Sequence, residues 1–271
     1  MRRAGGFTLI EMIVVIVLTG IVVGMVAVFL RTPVQAYVDS AARAELSDAA
    51  DIAVRRIARE VRRALPNSTR VTGGGTTVEF IPTKSGGRYL AEEDNEGAGY
   101  LDFTDSTDRT FTVVGQMPSP AIVPGTDSIV VYNLGPGIER ADAYAGDNIA
   151  LVTAVAGNDV TLASNPFART GSTAAVLSSP ARRFQVVTGP VRFVCDLANR
   201  QLLRQWNYAP PAAAPDSAVL ATNVTACRFT YEANIANTRS GLLGISLTLA
   251  RPDIPSESVQ LFHQIHVDNP I

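Results

Sequence analysis

The spacing of apolar and polar positions changes twice along the chain, and each change marks a new kind of element. From Phe7 to Leu30 the residues are apolar almost without a break, with Glu11 as the one charge. Such a run of about 24 residues spans roughly 36 Å as a helix, enough to cross a ~30 Å hydrocarbon layer. From Pro33 to Leu65 the period becomes helical. Val38, Ala42, Leu46, Ala49, Ala53, Ile57, Val61 and Leu65 fall on one stripe, while Arg43, Asp48, Asp51, Arg55, Arg59 and Arg62 lie largely off it. This predicts an amphipathic helix. Asp39 with Arg43 and Asp51 with Arg55 are acid-first i,i+4 pairs, and Arg59, Arg62 and Arg63 crowd the end where the macrodipole favours cations. Pro66 stops it. If Pro33 bends the chain without breaking it, residues 7–64 form one rod of roughly 87 Å.

After Pro66 the period falls to two. Thr76 to Ile81, Thr110 to Val114, Ser128 to Asn133, Ile149 to Val155, Val160 to Leu162, Arg183 to Val187 and Val191 to Cys195 read as short strands between Gly, Pro, Asn and Asp turns. Gln201 to Trp206, Ala226 to Tyr231, Leu242 to Ala250 and Val259 to Val267 follow. No internal repeat and no long biased linker divides residues 66–271, and Ala209 to Pro215 reads as a surface loop. The expected fold is α+β: a long N-terminal helix, half apolar (7–30) and half amphipathic (31–65), packed on a mostly antiparallel β-rich domain (66–271).

The apolar run is headed by Arg2-Arg3-Ala4-Gly5-Gly6, so the positive-inside rule keeps the N-terminus cytoplasmic and puts the remainder outside. A cleaved secretory signal would need a small-residue site after the run, where Phe29-Leu30-Arg31-Thr32-Pro33 stands instead. A plain signal anchor explains length and orientation but leaves Glu11 unexplained, because a carboxylate at a helix centre in lipid costs roughly 2.5–3.5 kcal/mol and less toward the end.

Gly6, Phe7, Thr8, Leu9, Ile10 and Glu11 resemble the processing site of type IV pilins and type II secretion pseudopilins. The resemblance implies that a prepilin peptidase/N-methyltransferase removes the leader, residues 1–6, between Gly6 and Phe7. It implies too that Glu11 pairs with the new Phe7 amine of a neighbouring subunit, and such pairing turns a costly buried acid into a register device. Residues 58–68, 189–196, 227–231 and 263–269 are similar to MshO-type minor pilins of the mannose-sensitive haemagglutinin (MSHA) pilus, which themselves resemble J-type pseudopilins and PilW-like minor pilins. The implied partners are other minor pilins, the major pilin or pseudopilins, and an inner-membrane assembly platform. The implied location is the inner membrane with a periplasmic globular domain, and later a filament. The chain is large for a subunit repeated throughout a thin filament, whereas Glu11 argues against the terminal position, so the expected place is just below the tip. The competing function is a membrane-tethered periplasmic binding or catalytic domain.

Charge and chemistry narrow the picture further. With 23 Lys and Arg against 25 Asp and Glu the net charge is -2, so no basic field holds nucleic acid. Cys195 and Cys227, the only cysteines, lie in a segment expected outside the cytoplasm and predict a disulfide. His263 and His266, three apart on a strand, point to opposite faces and do not share a metal easily. Gly73-Gly74-Gly75 lacks the Lys and Ser/Thr of a phosphate loop and reads as a turn. The acidic stretch 92–96, with Asp102, Asp105 and Asp108, has no EF-hand spacing and reads as a solvated loop. No nucleophile elbow or Ser/His/Asp pattern appears, so neither enzyme chemistry nor a cofactor or metal is expected.

Overall fold

In the computed structural model the described residues are 8–94, 99–168, 177–208, 214–233, 240–252 and 257–269. One helix, α1 (Leu9–Val61), is followed by a β-rich antiparallel domain. Pro33 lies inside α1 without ending it, and its 53 residues measure about 80 Å. The helix closes a turn earlier than the stripe suggests. Arg63 and Ala64 donate to the carbonyls three residues back, those of Glu60 and Val61, and Leu65 then turns away to donate to the Ile81 carbonyl at 2.7 Å.

Two sheets cover the C-terminal part of α1. The first runs in the order β1 (Arg70–Thr72), β2 (Thr77–Phe80), β9 (Val191–Asp196), β10 (Gln201–Trp206), β11 (Asp216–Ala221). The second runs β12 (Val224–Glu232), β13 (Ser240–Ala250), β14 (Ser258–Asp268). Alternation places Leu243, Ile245, Leu247 and Leu249 of β13, with Ile265 and Val267 of β14, on the inner face. There they meet Leu46, Ala50, Ala53, Ile57 and Val61 of α1 and Val78, Phe80, Phe193 and Leu202 of the first sheet in one core. Cys195 of β9 and Cys227 of β12 are disulfide-bonded, with Cα atoms 5.8 Å apart, which ties the two sheets together.

The remaining strands form something the period-two pattern does not reveal. Between β2 and β9, which are paired antiparallel from Thr77↔Val194 to Phe80↔Val191, the chain departs into a closed six-stranded barrel. Its strands are β3 (Thr83–Tyr89), β4 (Thr110–Val114), β5 (Ser128–Val130), β6 (Ile149–Ala156), β7 (Asp159–Leu162) and β8 (Arg183–Val187), in the order β3-β4-β7-β6-β5-β8. The barrel has its own core of Tyr89, Phe111, Val113, Ile129, Val152, Val160, Leu162 and Phe184, with Phe111 and Phe184 edge to face at 5.4 Å. Leu65, Ile81, Val130, Ala143 and Val187 form a small joint between the barrel and the end of α1. The barrel therefore sits at the end of the rod farthest from the apolar segment.

Three strands escaped the sequence reading. β1 has only three residues. β3 contains Gly86 and Gly87, and a Cβ on Gly87 would lie 2.7 Å from the Phe184 ring, so the glycine that spoils the alternation is what admits the ring. β11 is an edge strand with half of its residues exposed and only Ala221 buried. Conversely, the strand expected over 128–133 ends at Val130, because Tyr132 adopts a positive φ of 51°.

Candidate assembly segment

The candidate site is the N-terminal half of α1. Gly6 and Phe7 lie outside the described residues. Thr8 is the N-cap, extended at φ -81° and ψ 152°, and its hydroxyl accepts from the Glu11 backbone N–H at 3.4 Å. Thr8-Leu9-Ile10-Glu11 thus fits the capping-box pattern, a signal present in the sequence and not extracted from it. It gives Glu11 a second physical role, since an acid in the first turn also complements the helix dipole. The Glu11 residue is exposed.

From Leu9 through Glu45 no described side chain of α1 is buried, a bare length of about 56 Å. Its most apolar stretch has a mean hydropathy of 3.1, and by length and composition the helix can cross a membrane. Gly20 and Gly24 stand one turn apart in this stretch with open space where a side chain would be, the spacing that lets two helices approach closely in lipid. The amphipathic stripe is only partly used. Leu46, Ala53, Ile57 and Val61 are buried, whereas Val38 is 45% exposed, at the rim of a cleft it shares with Leu249 and Arg251 where the sheets end. Below that level polar contacts hold the rod. Arg43 donates to Glu257 at 2.8 Å and Arg204 to Glu60 at 2.8 Å, with Arg56 reaching Glu60 at 3.3 Å. The hydrogen bond and charge of Arg43 hold the Glu257 carboxyl below its ordinary value.

The other sequence candidates are placed as follows. On β14 His263 is half-buried and His266 exposed, on opposite faces. Gly73–Gly75 form a single 3-10 turn in which all three residues have positive φ. Of the acidic stretch, Asn95 and Glu96 lie outside the described residues. Asp102 accepts from the Thr104 N–H and hydroxyl and from the Asp105 N–H, and Asp105 accepts from the Thr107 N–H and hydroxyl. At Asp102 burial acts to raise the carboxyl, but these hydrogen bonds outweigh it and hold the group low; at Asp105 the Thr107 bonds do the same. Asn165 closes the loop by donating to the carbonyls of Asp102, Asp105 and Asp108. The carboxylates are engaged in shaping turns, and among the described residues no group of three His, Cys, Asp or Glu is placed to hold a metal. The loop 209–215 is described only at its last two residues.

One buried polar cluster had no sequence signal. Glu79, 7% exposed, accepts from the Arg70 guanidinium and the Tyr208 hydroxyl. The Arg70 guanidinium lies 3.6 Å from the centroid of the Tyr144 ring, and Tyr144 in turn donates to the Ser68 carbonyl at 3.0 Å. Burial, followed by the Glu79 charge, pushes the Tyr144 hydroxyl far up; at Tyr208 burial and the hydrogen bond to Glu79 act in the same direction. Partners scattered from Ser68 to Tyr208 meet only after folding, and the cluster joins barrel to sheet.

Residues 1–27 match the family model described as the prokaryotic N-terminal methylation motif. The chain carries the N-terminal signal of type IV pilins and pseudopilins. That signal implies processing by a prepilin peptidase and assembly with other pilins, and with the bare apolar helix it fits a membrane-anchored protein of pilin type. No curated protein and no solved structure matches the chain.

Proposed function

We propose that this protein is a structural minor pilin, MshO-like, that is cleaved between Gly6 and Phe7 and helps initiate or cap an MSHA-type pilus from a position just below the tip. One observation carries the reading: a chain with a pilin signal has no buried side chain along about 56 Å of its helix, and only the last turns of that length, from Tyr37, approach the globular domain. A membrane anchor alone needs only ~30 Å of apolar helix. The surplus, including exposed Val34, Tyr37 and Val38, is surface suited to neighbouring helices. The barrel beyond the far end of α1 supports a place near the tip, where the fewest subunits stand in its way. After cleavage Glu11 would meet the Phe7 amine of an adjacent subunit. The domain beyond the membrane would stand in the periplasm until assembly.

A clean deletion of the gene in its own organism, scored for surface filaments and for secreted protein, tests the assignment. Lost filaments with normal secretion are expected. Intact filaments with exoprotein held inside the cell would instead make the chain a J-type minor pseudopilin of a type II secretion system. No change in either would point to a tethered periplasmic domain. Complementation with Glu11→Ala should restore cleavage but not filaments, and filaments at the normal level would refute the assembly role of Glu11.

A further inference from the structure

The barrel carries an open cleft of about 400 Å³ on its outer surface, where Arg88, Gln116, Arg183 and Gln185 stand beside glycine and the apolar Val114 and Phe184. Its chemistry is one-sided. Arg88 of β3 and Arg183 of β8 are directly opposed in the antiparallel register, so their side chains leave the same face of the sheet from neighbouring positions. Both residues are exposed, and among the described residues neither guanidinium has an ion pair or a hydrogen bond. No carboxylate lines the cleft.

Like charges directly across a strand pair destabilise a sheet. Arg43, Arg55, Arg70 and Arg204 have carboxylate partners in Glu257, Asp51, Glu79 and Glu60, whereas Arg88 and Arg183 face each other across the strand pair with none between them. The floor beside the pair is flat because it is glycine. A Cβ on Gly86 would come within 2.9 Å of the Phe184 carbonyl oxygen, so β3 and β8 approach too closely there for a side chain to fill the space. Gln185, the register partner of Gly86, and Gln116 add amide donors at the rim. Two planar forks of N–H donors beside amides, over a vacant floor and without an acid, match the requirements of a tetrahedral oxyanion. With a net charge of -2 the attraction is local and not a general basic field.

We infer that the Arg88–Arg183 cleft is a binding site for a sulfate or phosphate group, presented at the end of the molecule farthest from the membrane helix. The group can be a free ion or an ester borne on a saccharide, and the two sources give different results below. The site lies outside α1 and is independent of how the chain assembles.

The test uses the full-length chain in mild detergent, with immobilised dextran sulfate as probe and unsulfated dextran as its neutral counterpart. Binding to dextran sulfate alone is expected, with Arg88→Ser and Arg183→Ser each weakening it about tenfold, the loss of one or two charge-assisted hydrogen bonds. Arg88→Lys should weaken it less than Arg88→Ser. Arg59→Ser, on exposed α1, should leave it unchanged. Inorganic sulfate displacing the probe more strongly than chloride of equal ionic strength supports the oxyanion site, and displacement only by the polymer's own oligosaccharides assigns the saccharide-borne ester. Loss with Arg59→Ser equal to that with Arg88→Ser, inorganic sulfate and the sulfated oligosaccharides both displacing no better than chloride at equal ionic strength, or no preference over neutral dextran would each overturn the inference. An unchanged unfolding midpoint in Arg88→Ser and Arg183→Ser keeps a binding loss from being read as a folding defect.

Discussion

Ile57 and Val38 both belong to the apolar stripe that the sequence draws along α1, yet the structure gives them opposite weight. Ile57 is 0% exposed, between the two sheets, and Val38 is 45% exposed at their edge. Ile57→Ala deletes three carbon groups from a closed core. At ~0.8 kcal/mol per buried methylene the transfer loss is about 2.4 kcal/mol, and the residual cavity brings the expected cost to about 3–4 kcal/mol. Val38→Ala deletes two groups that are already half in water, worth about 0.8 kcal/mol, and gains back ~0.5 kcal/mol from the better helix propensity of alanine. Its net effect should stay within about 0.5 kcal/mol. Urea unfolding of the full chain in mild detergent reports both, through fluorescence of Trp206, the single tryptophan, which packs against the same core. With a slope of ~1–3 kcal/mol per molar, Ile57→Ala should lower the midpoint by about 1–4 M and Val38→Ala should barely move it. Equal shifts for the two variants would refute the placement of α1 on the sheets.

Three further outcomes follow from particular contacts. Replacing Cys195 and Cys227 by serine opens a loop with a sequence separation of 32; the chain-entropy estimate puts the loss at roughly 3.7 kcal/mol, and the midpoint of the non-reduced protein should fall to that of the reduced wild type. Glu257 is held below its ordinary value by Arg43, so the pair's contribution is present above the unfolded carboxyl value and is lost as pH falls through the lower folded one. Acid unfolding monitored from pH 6 to 2 should therefore lose one dependence in Glu257→Gln, and an identical profile would show the pair to be idle. Burial pushes Tyr89 up to about 12, so the folded barrel keeps its proton after the unfolded chain has lost it. Stability should fall as pH rises from ~10 toward 12, and absorbance titration of Tyr89→Phe should lack one late-ionising phenol.

The helix was legible because its signals are local and redundant: the apolar run to Leu30 and the stripe from Leu46 to Val61 are each written within a few residues, although the helix ends a turn before the expected stop at Pro66. Most strands were legible for the same reason, since the inner face of β13, Leu243 to Leu249, alternates as a half-buried strand must. What the sequence did not show is which strands pair. Val191 continues the sheet that stops at Phe80, and nothing in either residue records the long excursion between them. β3 was lost to Gly86 and Gly87, whose absent side chains are required by Phe184, a residue of another strand. At the candidate site the pilin-type N-terminal signal was read directly, whereas the limit of the buried stripe depends on where the sheets end, and the Glu79 cluster on residues brought together from four parts of the chain.

The joint between rod and barrel decides how these parts work together. Where α1 ends, the Leu65 N–H donates to the Ile81 carbonyl and the Thr83 N–H to the Arg63 carbonyl, and Ala64 bridges Pro82. Asn67 donates to the Asn133 carbonyl, Asn133 returns a bond to the Pro66 carbonyl, and Tyr144 reaches Ser68. Backbone groups that a helix terminus would leave to solvent are thus satisfied by the first and middle segments of the barrel. A flexible tether would leave those groups to water and would bury no Leu65. The barrel is instead a continuation of the rod, fixed at the opposite end from the bare apolar helix, so substitutions in the Arg88–Arg183 cleft and in the segment before Leu46 act on surfaces that share no contact.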